Sequence, residues 1–247
     1  MVSDICKLKG QAFSSLVEEL EQLAPEEVLL WVWKAFGSSV AVSSSFQTQS
    51  LPLLHMVSRV APEMPILFID TGFHFKETLT YMERLRESLG LRVRVLKPEM
   101  PEFELIRHLG EKPYQRDPDR CCYINKVLPM RRAMKDYDVL VAGVRRDQTH
   151  VRATFRVLHR EYGNLLKVHP MLSMTREDIE SYIETHALPP HPLAEKGYVS
   201  IGCAPCTQPV PSTRHEREGR WSGTTKTECG LHISPADIVN MVKRGSG

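Results

Sequence analysis

The sequence predicts an α/β protein with a doubly wound parallel sheet. Three observations carry this. Short apolar runs alternate with segments of helical spacing, each run ends in a small polar turn, and the alternation lasts until prolines break it near residue 189. The 247 residues, 42% hydrophobic and 25% charged, suit one such domain with a functional tail and exclude disordered and fibrous classes.

Segments 13–23 and 25–36 are amphipathic and predict two helices, with Pro25 suited to a first helical position and Gly37 placed to end the second. Val40-Ala41-Val42 predicts a strand running into the turn Ser43-Ser44-Ser45, after which Leu51, Leu54, Met56 and Val57 have helical spacing. Ile66 to Ile69 predicts the second strand and Asp70-Thr71-Gly72 its turn. Leu79, Met82, Leu85 and Leu89 then form a helix face that Gly90 can close. Val93 and Val95 mark a third strand, a helix is expected around 122–135, Val139 to Ala142 is a fourth strand ending at Gly143, and Leu165 to Val168 is a fifth. Thr175, with Asp178 three residues on, gives an N-cap for a helix carrying Ile179, Tyr182 and Ile183. The expected organisation is N-terminal helices at 1–37, an α/β domain at 38–188 and a C-terminal segment at 189–247.

Lys plus Arg number 32 and Asp plus Glu 30, so a formal charge of +2 supplies no global field for a nucleic-acid backbone; such binding would need a local patch. No apolar run is long enough to span a bilayer, and the start, MVSDICKLKGQAFSS, has no apolar core of the kind a secretion signal needs. The expected compartment is the cytoplasm, where the six cysteines stay as thiols.

Those cysteines are grouped. Cys121 and Cys122 are adjacent, Cys203 and Cys206 form a Cys-x-x-Cys pair, Cys229 stands alone in Glu-Cys-Gly-Leu-His, and Cys6 is near the start. Four converging thiolates would suit zinc or an iron–sulfur cluster; a redox dithiol at 203 and 206 beside two structural cysteines is the plainer alternative. Zinc sites usually separate their cysteines by two to four residues, so the adjacent pair favours a cluster.

In an open parallel sheet, ligands bind at the carboxyl ends of strands, so the turns at 43–50, 70–78 and 143–152 should surround one site. Ser43, Ser44 and Ser45 offer small side chains and backbone N–H groups ahead of a helix, which suits an anion. The Walker pattern is absent, which disfavours ordinary ATP hydrolysis. Residues 145–160 hold five arginines against one aspartate. Arg145, Arg146 and Arg152 are placed for phosphate or sulfate contact, whereas Arg156 and Arg160 read as a solvated face. In the tail, His215, Arg217, Arg220, Lys226 and His232 lie close to Cys229 in sequence, and a cationic surround makes a thiol nucleophilic.

Taken together, Ser43 to Phe46, Asp70-Thr71-Gly72 with Glu77-Thr78, Cys121-Cys122 with Lys126, Gly143 to Arg152, Gly202-Cys203-x-x-Cys206-Thr207 and Glu228 to His232 resemble the assimilatory sulfonucleotide reductases. The likeness is greatest to the cluster-bearing, thioredoxin-dependent adenylyl-sulfate reductases. It implies a Rossmann-like, adenine nucleotide hydrolase-like fold that reduces adenosine 5′-phosphosulfate to sulfite and AMP, with a 4Fe-4S cluster on Cys121, Cys122, Cys203 and Cys206. It also implies Cys229 as the nucleophile, Lys126, Arg217, Arg220 and His232 around the sulfate, and Ser43, Ser44, Ser45, Phe46, Asp70, Thr71, Gly72, Gly143, Arg145, Arg146 and Arg152 in the nucleotide-binding loops. Thioredoxin, or a glutaredoxin, would be the reductant.

Two departures stand out: Gln47 stands where many relatives have glycine, and Asn125 where an arginine often precedes the lysine. The 3′-phosphorylated substrate is the alternative within the family. A cluster-bearing tRNA thiolase would need the Ser-Gly-Gly-x-Asp-Ser loop, which is absent, and a non-catalytic iron–sulfur nucleotide sensor would leave the cationic cysteine tail without a use.

Overall fold

A computed structural model describes residues 5, 8–161, 165–211, 215–224 and 226–231. Six strands form one sheet in the order β3-β2-β1-β4-β6-β5. They are β1 (Val40–Ser43), β2 (Ile66–Ile69), β3 (Val93–Leu96), β4 (Val139–Ala142), β5 (Leu158–Arg160) and β6 (Leu166–Val168). All neighbours pair parallel except β5 with β6. The order runs outward from β1 to β3 and resumes on the other side of β1 at β4. The carboxyl ends of β1 and β4, where Ser43 pairs with Ala142, are therefore the switch point at which such sheets open a ligand crevice.

The strands are apolar throughout because both faces are covered. Val40, Val42, Ile66, Phe68, Val139 and Val141 face a large core packed by the helices Gly10–Leu20, Pro25–Phe36, Leu51–Val60, Lys76–Ser88 and Arg176–Thr185. Ala41, Leu67, Ile69 and Leu140 face a smaller one, closed by Met130, Ala133 and Met134 and by Leu231 of the tail. Alternate residues along one strand thus serve opposite layers.

The end signals read from sequence act as expected. Pro25 opens its helix and Gly37, at φ +51°, ends it. The Thr175 hydroxyl accepts from the Asp178 N–H at 3.2 Å, while the Asp178 carboxylate accepts from the Thr175 N–H at 2.7 Å.

Three parts differ from expectation. The sheet has an antiparallel edge strand, β5, inside the stretch read as a solvated arginine face; Leu158 is buried, and Arg156 at its threshold pairs with Glu21 at 2.7 Å. The helix expected around 122–135 is composite: Pro118–Cys122, a π-helical turn at Tyr123–Val127, then Leu128–Ala133. Helices at Glu102–Leu109 and Pro113–Arg116 were not foreseen, and Leu105 and Leu109 of the first pack with Cys121. No helix among the described residues is long and apolar enough to cross a membrane.

Candidate active site

A cleft of about 870 Å³ opens at the switch point. Its lining includes Ser43, Ser44, Ser45, Gln47 and Ser50 after β1, Gly143 and Val144 after β4, and Lys126, Arg152, Arg217, Arg220, Trp221 and Cys229. Neutral hydroxyls and cations thus share the lining. That lining suits a ligand that carries negative charge.

The serine turn is shaped by Phe46. Its backbone is left-handed at φ +53°, its N–H donates to the Ser44 hydroxyl at 3.1 Å, and its ring is fully buried edge-on to Phe68 with centroids 5.5 Å apart. Phe46 therefore anchors the turn from the core and is not a wall of the cleft. Gln47 ties the turn to the tail by accepting the Ile201 N–H at 2.9 Å through Oε1.

The second turn points elsewhere. The Asp70 carboxylate accepts from the Gly72 N–H at 3.0 Å and Gly72 takes φ +77°, so both residues serve the turn itself. Thr71 Oγ1 accepts from the Phe73 N–H at 3.2 Å and lies 3.3 Å from Cys203 Sγ, while the Ala204 N–H donates to the Phe73 carbonyl at 2.7 Å. The 70–74 turn is the brace of the cysteine loop.

Cys121, Cys122, Cys203 and Cys206 line one cavity of about 270 Å³ together with Phe73, Tyr114, Pro118, Asn125 and Lys126. Among the described residues, no group of three or more His, Cys, Asp or Glu side chains is drawn together closely enough to hold a metal ion as the side chains stand. The four sulfurs share one cavity lining. Burial, with mutual repulsion from the neighbouring thiols, pushes Cys121 up to about 12 and Cys206 up to about 11, and burial raises Cys122 as well. Such thiols would ionise only against a bound cationic centre, and the soft, all-sulfur donor set fits iron–sulfur or zinc chemistry. Asn125 is buried against this wall, donating to the Cys121 carbonyl at 3.0 Å. The residue that departs from the family pattern thus supports a cysteine and stays out of the cleft lining.

The tail joins the two cavities. Arg220 bridges Thr207 in an antiparallel pair, the Trp221 N–H donates to the Cys206 carbonyl at 3.1 Å, and the Arg220 guanidinium stacks 4.5 Å from the Trp221 ring centroid. A Cβ on Gly202 would meet Arg220 Nη2 at 2.2 Å, so any other residue there would push the guanidinium aside. Lys126, in the π-helical turn, lines both cavities.

The arginines read from the 143–152 loop separate. Arg152 lines the cleft and grips Glu228, donating to its two oxygens at 2.8 and 2.9 Å. Arg145 is 1% exposed, with its guanidinium given to Asp147, Glu216 and Gln49; Arg146 turns to Glu21 at 3.0 Å. Neither is part of the cleft wall, because carboxylates distant in sequence already take their donors. Burial and the neighbouring Arg152 push Arg217 down to about 10, with Glu228 opposing.

Cys229 is half-buried on the cleft wall. Burial and the Glu228 carboxylate push its thiol up, but the Lys126 ammonium, the Leu231 N–H and the Arg217 guanidinium outweigh them and hold it below the ordinary thiol range. His232 and Cys6 lie outside the described residues. Gln47 and His74, which the sequence placed only within turns expected to surround the site, line the cleft, as does Trp221, to which it gave no role; Glu228, also without a role there, pairs with Arg152. The surplus of arginine over aspartate at 145–160 was the signal that an acidic partner such as Glu228 was needed.

A cationic cleft at the switch point of a doubly wound sheet, with an activated thiol on its wall, defines a binder of small anionic ligands equipped for sulfur chemistry. Residues 39–209 match the family model described as the phosphoadenosine phosphosulfate reductase domain, and the chain belongs to that family. It is 38% identical over 218 residues to the adenosine 5′-phosphosulfate reductase of Halalkalibacterium halodurans, covering 87% of this chain and 94% of that one. It is 39% identical over 207 residues to adenosine 5′-phosphosulfate reductase 1 of Bacillus subtilis, covering 83% and 89%. The crystal structure of phosphoadenylyl-sulfate reductase from Candida auris in a phosphate complex superimposes with a TM-score of 0.72 at 25% identity, over 82% of this chain and 98% of that one. The FMN adenylyltransferase of Candida glabrata shares the fold at a TM-score of 0.55 and 14% identity.

Proposed function

We propose that this protein reduces adenosine 5′-phosphosulfate to sulfite and AMP in sulfate assimilation, with thioredoxin or a glutaredoxin as the electron donor. The observation that carries the reading is Cys229, a thiol held below its ordinary range on the wall of a cleft where Lys126, Arg152, Arg217 and Arg220 gather.

The Cys229 thiolate attacks the sulfate sulfur in line with the bond to the phosphate oxygen. An S–S bond forms, the S–O bond breaks, and AMP leaves with the electron pair. Two unit charges about 4 Å apart repel by roughly 4 kcal/mol at an effective dielectric near 20. The cations that line the cleft with Cys229 offset that repulsion. A donor thiolate then attacks Cys229 Sγ, sulfite leaves with the electron pair of the S–S bond, and a mixed disulfide remains for the donor's second thiol to resolve. Both electrons come from thiols.

Cys121, Cys122, Cys203 and Cys206 would hold a 4Fe-4S cluster; when bound, it would tie the two cysteine loops together and add to the field at the cleft. A reducing compartment such as the cytoplasm would keep all these thiols reduced.

The non-phosphorylated substrate is favoured by the names of the relatives at 38% and 39% identity and by charge: Arg145 and Arg146, which could have met a further phosphate, are committed to internal carboxylates. Sulfite release by purified protein given each sulfonucleotide with reduced thioredoxin tests this. Turnover of adenosine 5′-phosphosulfate well above that of the 3′-phosphorylated form is expected, and the reverse preference would overturn the substrate assignment.

A further inference from the structure

The Cys229 turn is gripped on both sides. Before it, Glu228 is held by Arg152 and by the Thr149 hydroxyl at 3.0 Å. After it, the Leu231 carbonyl accepts from Lys167 Nζ at 2.9 Å. Lys167 is in β6, is buried, and is outside the cleft lining. Its ammonium also pairs with Glu161 at 2.8 Å, and His159 lies 3.8 Å from the same carboxylate oxygen. Burial pushes Glu161 up, but His159 and Lys167 outweigh it and bring it down to about 2, so this carboxylate stays ionised at neutral pH.

Leu231 has two roles at once. Its carbonyl is the end that Lys167 holds, and its N–H is among the groups that lower the Cys229 thiol. Its side chain packs on the smaller core beside Met130 and Leu140.

We propose that Lys167 is a positioning residue for the reaction: by holding the Leu231 carbonyl, it keeps the turn that carries Cys229 seated on the cleft wall, and Glu161 keeps Lys167 aimed. The proposal rests on the reading of Cys229 as the nucleophile. The attachment is one hydrogen bond to a neutral carbonyl, so it can release when the sulfonated cysteine turns outward to a donor protein. Its contribution therefore belongs to the first step, sulfonation, and not to the second.

Single-turnover sulfonation of Cys229, followed by mass spectrometry after mixing reduced enzyme with adenosine 5′-phosphosulfate without a reductant, tests this across pH. Lys167→Met should slow sulfonation by roughly tenfold, the scale of one charge-assisted hydrogen bond, and move its pH profile upward. Affinity for AMP and thioredoxin-driven release of sulfite from preformed S-sulfonate should be unchanged, and Lys167→Arg should restore most of the rate. The double variant Glu161→Gln/Lys167→Met leaves no unpaired buried carboxylate and should show the same slowing even if the single variant folds poorly. A wild-type rate and pH profile in the double variant, or slowing accompanied by lost AMP affinity, would overturn the proposal. Absence of sulfonate on wild-type Cys229 would overturn the proposed function instead.

Discussion

The Glu228 carboxylate and the Arg152 guanidinium meet in a two-point pair, with Nε–Oε1 at 2.8 Å and Nη2–Oε2 at 2.9 Å. The residue next to the proposed nucleophile is thus the counter-ion of a cation that lines the cleft. The two side chains are 3% and 6% exposed, so the pair stands in a medium where either charge alone would be costly.

Removing one partner should show this. Glu228→Gln is expected to lower stability by about 3–5 kcal/mol, the usual cost of an unpaired buried charge. An anionic ligand then becomes the missing counter-ion, so the rise in melting temperature on adding AMP should exceed that of the wild type. Thermal unfolding with and without AMP measures both, and an equal or smaller AMP shift would show that Arg152 does not meet the ligand.

Lys126 sets the pH at which Cys229 reacts. The thiolate is populated above the folded-state pKa, which is lowered, so the rate of Cys229 alkylation should level off at a lower pH than for an ordinary thiol. In Lys126→Met the burial that pushes the thiol up is no longer outweighed, and the plateau should move above the ordinary thiol range. The pH profile of iodoacetamide labelling at Cys229, read by mass spectrometry, checks the direction.

The four-cysteine cavity predicts a metal phenotype separable from the nucleophile. Cys203→Ser should yield protein with little iron and weak visible absorption, because Cys203 shares the cavity with Cys121, Cys122 and Cys206. Cys229→Ser should keep both the colour and AMP binding while releasing no sulfite. Iron and sulfide analysis of the two variants distinguishes the assignments, and full iron content in Cys203→Ser would contradict the ligand set.

The parts of the fold legible in the sequence were those set by local pattern. Val40 to Val42, Ile66 to Ile69 and Val139 to Ala142 are unbroken apolar runs because both sheet faces bury them, and Pro25, Gly37 and Thr175 mark helix ends by local backbone chemistry. The edge strand Leu158–Arg160 was hidden because only Leu158 of its three residues is fully buried and its arginine resembled surface. At the site, residue types showed where cations and sulfurs were, but not which cations had partners. Arg145 and Arg152 are indistinguishable in the loop; Glu216, 71 residues away, takes the first inward, and Glu228, 76 residues away, sets the second on the cleft wall. Long-range ion pairs of that kind leave no periodic trace.

The central claim is that Cys229 itself takes up the sulfonate. Reduced enzyme incubated with adenosine 5′-phosphosulfate in the absence of any donor, then digested and analysed by mass spectrometry, tests it most directly. The account predicts a sulfonate on the Cys229 peptide in step with the AMP released. Continued accumulation of AMP with Cys229 unmodified would contradict it.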